Sequence, residues 1–252
     1  MELASLLPEG IGPLAALALV GASTTTAAVT AAFGLGGGVI LLAVLLTVMT
    51  PAMAIPVHAV LQSGANASRA WLMRGEVMRP LFLWFLPGSL VGVALGSLIV
   101  VEVPARWLSL VLALFILWSV WAPKPAPRPL PPGRFALIGV LSSFLTMFVG
   151  ATGPLIAAFL PPERYGRLAT VATHGACMLV QHLMKLVAFV LLGFSLADWL
   201  PLVAAMLCGG FGGTVAGRAV LQRLPEELFR RAFRIVLTVL ALKLLLDAGT
   251  GG

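Results

Sequence analysis

Successive apolar runs of about 20 residues leave this chain few folds, because each run is long enough to cross the hydrocarbon core of a bilayer. Within that core every backbone N–H and C=O has to find a partner inside the protein. The expected class is all-α, a polytopic membrane protein. Eight apolar elements can be drawn in two sets of four: 12–49, 51–72, 80–101 and 105–121, then 135–160, 167–193, 197–217 and 225–247. Between the sets, Ala122 to Arg134 reads APKPAPRPLPPGR. Proline at that density forbids a helix and favours an extended linker. The chain thus divides into a first transmembrane repeat (1–121), a Pro-rich cytoplasmic linker (122–134) and a second repeat (135–252).

Composition agrees with a bilayer as the surrounding solvent. Of 252 residues, 60% are hydrophobic and only 10% charged, against roughly 25% charged in soluble domains. The net charge of +7 would suggest a nucleic-acid partner in a soluble protein, but here it reflects topology, and no nucleic acid is expected. Met1 to Gly12 carries two acids and no basic residue, so it does not read as a cleaved signal peptide. Cys177 and Cys208 both fall inside apolar runs, as buried small hydrophobes rather than a disulfide or metal pair.

The two sets read as copies of one unit. Gly38-Val39-Ile40 matches Gly153-Pro154-Leu155 at an offset of 115, where Asn66 also falls on Gln181. Further on, Gly88, Gly92 and Gly96 match Gly209, Gly213 and Gly217, and Val103-Pro104 matches Leu224-Pro225, all at an offset of 121. An offset that stays constant and jumps once, by a loop-sized step, is the mark of a duplication. The glycine series at 88–96 and 209–217 read as close helix packing.

Charge placement orients the copies. Thirteen of the sixteen basic residues gather at 69–79, 124–134, 164–167 and 218–234, and such loops are cytoplasmic by the positive-inside rule. Element 135–160 then begins and ends inside, so it enters and returns, while 12–49 begins and ends outside. Each half makes three single crossings plus one broken, returning element (re-entrant or hairpin). An odd number of crossings per half makes the two repeats inverted, the architecture in which secondary carriers build a midplane site from broken helices.

The glycine clusters mark where those elements turn. Four of the five residues in Gly34–Gly38 are glycine, and Gly150-Ala151-Thr152-Gly153-Pro154 holds the matching place. Glycine and proline are the poorest helix formers, and Pro154 suits the first position of a new half-helix. The N-terminus of a half-helix offers free N–H groups and a positive dipole end to an anion.

Side chains add to that field. All nine acids fall at element ends or in loops, so a cation site or a carboxylate proton relay has no support. The ionisable groups inside the spans are His58, His174, His182 and Lys185, with Arg69 toward one end. His58, Gln62, Asn66 and Arg69 share one helix face, as do His174, Met178, Gln181 and Lys185. His182 lies about 100° off that stripe. The alternative for these groups is interhelical glue or, for Arg69, an interfacial anchor.

The motifs Gly-Leu-Gly-Gly-Gly (34–38), Ala-Asn-Ala-Ser-Arg (65–69), Val-Gly-Ala-Thr-Gly-Pro (149–154), Ala-Thr-His-Gly-Ala-Cys (172–177) and Gln-His-Leu-Met-Lys (181–185) resemble the TauE/SafE proteins, a sulfite exporter or sulfonate-permease family. The resemblance runs from about Ala31 to Asp247. It implies a carrier of small sulfur-containing oxyanions (sulfite, or organosulfonates such as sulfoacetate, isethionate or taurine) in the cell inner (plasma) membrane. The residues expected at the substrate are Gly36, Gly37, Gly38, His58, Gln62, Asn66, Arg69, Thr152, Gly153, His174, Gln181 and Lys185.

No cofactor or metal is implied. The sequence has no H-E-x-x-H, no paired metal ligands and no phosphate-binding loop, which argues against an intramembrane enzyme or an ATP-driven pump. A channel or carrier for another small anion or a neutral solute is the alternative. An inside-negative potential drives anion exit by about 2.3 kcal/mol per charge per 100 mV. Export can therefore run as uniport, whereas uptake needs a coupled cation, for which a histidine is the proton carrier at hand. Direction and choice of anion stay open at this point.

The topology is checked by labelling single cysteines placed at 126, 226 and 250. Positions 126 and 226 are expected to react from the cytoplasm and 250 from the opposite side. Linker and C-terminus reacting from one side would remove the inverted arrangement.

Overall fold

The computed structural model describes residues 7–8, 10–33, 36–100, 102–122, 131–220 and 226–250. These form α1 (Pro13–Phe33), α2 (Gly37–Leu45), α3 (Pro51–Leu72), α4 (Arg79–Val100), α5 (Ala105–Trp121), α6 (Phe135–Val149), α7 (Gly153–Ala157), α8 (Pro162–Tyr165), α9 (Arg167–Leu191), α10 (Leu200–Val220) and α11 (Glu226–Thr250), with no strand among the described residues. The all-α expectation holds. Proline sets several of the starts, with Pro51 at the head of α3 and Pro154 in the first turn of α7, where a missing N–H costs nothing. The short α8 lies in the stretch between 160 and 167 that had read only as a cationic loop.

Among the described residues, five helices are long and apolar enough to cross a membrane: 13–31, 79–100, 132–149, 168–191 and 197–216. The chain is a multi-pass membrane protein. α3 is as long as α4 but is not among the five. Its polar stripe lowers its hydropathy, and the stripe is turned inward: His58, Gln62, Ser63 and Asn66 are all buried. α5, of 17 residues, is shorter than a full span.

Both expected returning elements double back. Ser142 and Thr152 would lie about 15 Å apart along a continuous helix. Instead Thr152 Oγ1 donates to the Ser142 carbonyl at 3.2 Å. In the first half, Gly37 at the head of α2 sits against Thr26 and Thr30 of α1, so the chain has come back beside its predecessor by that point. The chain turns at Gly36 (φ 101°) and Gly150 (φ 71°), a left-handed backbone that only glycine enters cheaply.

The two halves interleave. α1 packs on α10, α6 on α4, α3 on α9, and α5 on α11. Glycine makes the first two seams possible. A Cβ on Gly88 or Gly92 would collide with the Ala136 or Val140 carbonyl of α6, and one on Gly213 with the Thr24 carbonyl of α1. One hydroxyl bond reinforces each seam: Ser89 with Ser143 at 2.7 Å, and Ser23 to the Met206 carbonyl at 2.8 Å. Trp121 Nε1 donates to Thr238 Oγ1 across α5 and α11 at 2.9 Å. The expected packing role of the glycine series is what their surroundings require at 88, 92, 96, 209 and 213.

Several expected features lie outside the described residues: Gly34 in the first break, 123–130 of the linker with Lys124 and Arg128, and Arg223 with Leu224-Pro225.

Two adjacent glycines of α10 test the seam. Gly213 has no room for a Cβ, whereas Gly212 has nothing within 4 Å of one. Gly213→Ala is expected to destabilise by about 1–3 kcal/mol, the usual cost of overpacking. Gly212→Ala is expected to melt at or above wild type. Thermal unfolding of the detergent-solubilised protein measures both.

Candidate functional site

α3 and α9 lie against each other, and each presents a histidine to the turn that precedes it in its own half. His58 Nε2 bonds the Gly38 carbonyl at 2.9 Å, and His174 Nε2 bonds the Gly153 carbonyl at 3.1 Å. A carbonyl only accepts, so in both pairs Nε2 carries the hydrogen. These are matched contacts, made just after each break by the eighth residue of each following helix.

Below His58, α3 builds a polar ladder. Asn66 Nδ2 donates to the Gln62 carbonyl at 2.7 Å, and Asn66 Oδ1 accepts from Arg69 Nη2 at 2.9 Å. Gln62 lies beside Gly38, where a Cβ would come within 2.7 Å of its Nε2. Asn66 therefore fixes the guanidinium, and the bare α carbon of Gly38 admits the amide. On α9 the polar groups engage backbone instead. Gln181 Nε2 donates to the Ser142 carbonyl at 2.7 Å and to Thr152 Oγ1 at 2.8 Å. Lys185 Nζ donates to the Gly150 carbonyl at 2.7 Å, fully buried.

Between the breaks is a cavity of about 40 Å³, room for a few water-sized atoms at about 10–15 Å³ each. Of the residues expected at the substrate, Gly36, Gly38, His58, Gln62, Asn66, Arg69, Gly153 and His174 line it. Gly37, Thr152, Gln181 and Lys185 do not. Gly37 is pressed against α1, and the other three brace the second break from behind.

His182 is the lining residue that sequence reasoning set aside. It is fully buried, neither ring nitrogen has a partner, and its ring meets that of His58 edge-on at 5.5 Å between centroids. A signal for it existed. His58 and His174 are 116 apart, and this offset puts Asn66 opposite His182 and Arg69 opposite Lys185. The offset of 115 that aligns the glycines does not carry through the following helix.

Among the described residues the lining holds one guanidinium, two side-chain amides, three imidazoles and no carboxylate. No three His, Cys, Asp or Glu residues are grouped to hold a metal among the described residues. α2 also starts at this cavity, with Gly36 as its N-cap and no side-chain cap, so the positive end of its dipole lies beside the space. A wider groove of about 520 Å³, lined by Met78, Pro80, Leu81, Pro131, Pro132, Arg164 and Tyr165, shares no residue with the cavity. It is bordered mostly by apolar groups and proline, so the convergent polar chemistry belongs to the smaller space.

No curated protein and no solved structure matches the chain. A family model does, over residues 17–244, and its description is sulfite exporter TauE/SafE. That span takes in both breaks, α3, α9 and every residue lining the cavity, and the chain therefore belongs to the TauE/SafE family of membrane transporters.

Proposed function

We propose that this protein is a secondary carrier for a small sulfur-containing oxyanion across the cytoplasmic membrane, with the anion bound in the cavity between the two breaks. The observation that carries this reading is the lining: Arg69, Gln62, Asn66 and three histidines around one space, with no carboxylate among the described residues. The Arg69 guanidinium, held by Asn66, puts a positive charge on the cavity wall that an anion complements. The start of α2 adds the positive end of its dipole at the same space.

Size favours the smaller members of the substrate class. A cavity of about 40 Å³ suits an inorganic oxyanion such as sulfite. Sulfoacetate, isethionate and taurine carry a carbon chain as well and require the site to widen. The exchange of partners between halves supports the inverted-repeat reading: α1 with α10 corresponds to α6 with α4, while α3–α9 and α5–α11 each map onto themselves. Such a relation lets one half rock against the other around a fixed site. With no nucleotide-binding motif, the driving force is a gradient. The alternative, a channel or carrier for another small solute, predicts little discrimination among anions.

Counterflow in proteoliposomes loaded with sulfite, and challenged with sulfate, taurine, isethionate or sulfoacetate, tests the assignment. Sulfite is expected to exchange fastest, and equal exchange of all of them would favour the alternative. Arg69 and Lys185 separate binding from bracing. Arg69→Gln is expected to weaken sulfite binding by tenfold or more, the size of one charge-assisted hydrogen bond. Lys185→Gln, off the cavity wall, is expected to lower the melting temperature and change affinity less. Calorimetry and thermal unfolding of both variants give the comparison.

A further inference from the structure

The tautomers of the paired histidines constrain what the cavity can hold. With the hydrogen of His174 committed to the Gly153 carbonyl through Nε2, the neutral ring leaves Nδ1 as a bare acceptor. That nitrogen is buried and has no partner. His58 repeats the arrangement, with Nε2 on Gly38 and Nδ1 unpartnered. An unpaired buried polar atom is costly, and two at matched positions beside one cavity point to a ligand or proton that completes them. A bare oxyanion cannot, since both it and Nδ1 present lone pairs. Only a hydrogen between the two satisfies both.

We propose that the cavity takes up one proton with each anion it binds, and that this proton resides on Nδ1 of His174. The inference rests on the anion-carrier reading above. No bond within the anion breaks: the protonated buffer in solution gives up one proton and becomes its free base, the proton forms an N–H on Nδ1, the ring becomes an imidazolium, and the new N–H donates to an anion oxygen.

The charged and titratable neighbours favour His174 over the other two rings. His174 faces Arg69 from α3 and His182 on its own helix, with Gly153 on its Nε2. An anion between Arg69 and His174 is held from both sides. His58 faces Lys185 and His182 from α9. His182 faces Lys185, His58, His174 and Arg69, and has no carbonyl to set its tautomer. A charge on either would meet the Lys185 ammonium, whereas a charge on His174 meets Arg69, and an anion held between those two offsets their repulsion.

The test is calorimetric titration of the detergent-solubilised full chain with sulfite, at one mildly alkaline pH, in buffers of differing ionisation enthalpy. The dependence of the observed heat on the buffer counts protons. The expected count is near one per sulfite in wild type. It is expected to fall near zero in His174→Gln, whose amide N–H can still reach the Gly153 carbonyl, with His174→Asn as a second non-titrating variant. Wild-type affinity is expected to fall about tenfold per pH unit where one proton is linked to binding, with a flatter profile in His174→Gln. Sulfite binding whose heat is independent of buffer overturns the proposal and leaves the anion site standing. No sulfite binding at all removes the anion reading itself. A proton count that survives both His174 substitutions but disappears in His182→Gln overturns the assignment to His174.

Discussion

Two chain reversals inside a hydrocarbon environment set the terms for everything else in this molecule. A helix that breaks at membrane depth exposes carbonyls and N–H groups that lipid cannot satisfy. Here α9 supplies one missing partner, Lys185 for the Gly150 carbonyl, and α3 and α9 together brace the backbone around both breaks. His58 and His174 hold the carbonyls of Gly38 and Gly153, while Lys185 and Gln181 hold those of Gly150 and Ser142. These two helices can be polar along one face because that face is turned to the breaks, and they can lie centrally because the apolar helices surround them. The cavity is what remains where the partners do not close completely.

Lys185 shows how the same constraint decides between two roles for a charge. The nine acids all lie at element ends or in loops, which makes a structural salt bridge an unpromising explanation for a lysine in the middle of a span. Its partner is a backbone carbonyl at the C-terminal end of α6, where the helix dipole is negative. That end exists only because α6 stops at Gly150. The break thus creates the acceptor that makes the lysine tolerable, and the lysine makes the break tolerable.

Much of this was legible in the chain. The helices fall within a few residues of the expected elements, since apolar length and proline punctuation act locally. The turning points were readable because four glycines in five residues have no place in a continuous span. The α3 side of the site was readable as well, because 58, 62, 66 and 69 follow helical spacing and all four line the cavity. The α9 side was less so. Gln181 and Lys185 lie on the expected face yet reach the backbone of α6 and its turn, and His182, one step round the helix, reaches the cavity. Spacing tells which residues share a face, but not how far a neighbouring turn protrudes toward it. The single-residue difference between offsets 115 and 116 is a loop-length effect, and only the two histidine contacts reveal it.

The interleaving of the halves carries a consequence for how the chain is made. Ser23 of α1 bonds the Met206 carbonyl of α10, 183 residues later, and the seam between those helices is among the most extensive in the molecule. At a synthesis rate of about 5–20 residues per second, α1 waits roughly ten to forty seconds for that partner to emerge. During that interval its threonine-rich face has only α2 beside it. The hydroxyls of Thr24, Thr25, Thr26 and Thr30 each bond a carbonyl one turn back in the same helix. They satisfy themselves without any other segment, so a helix that must linger in lipid before assembly carries polar groups that already have their partners.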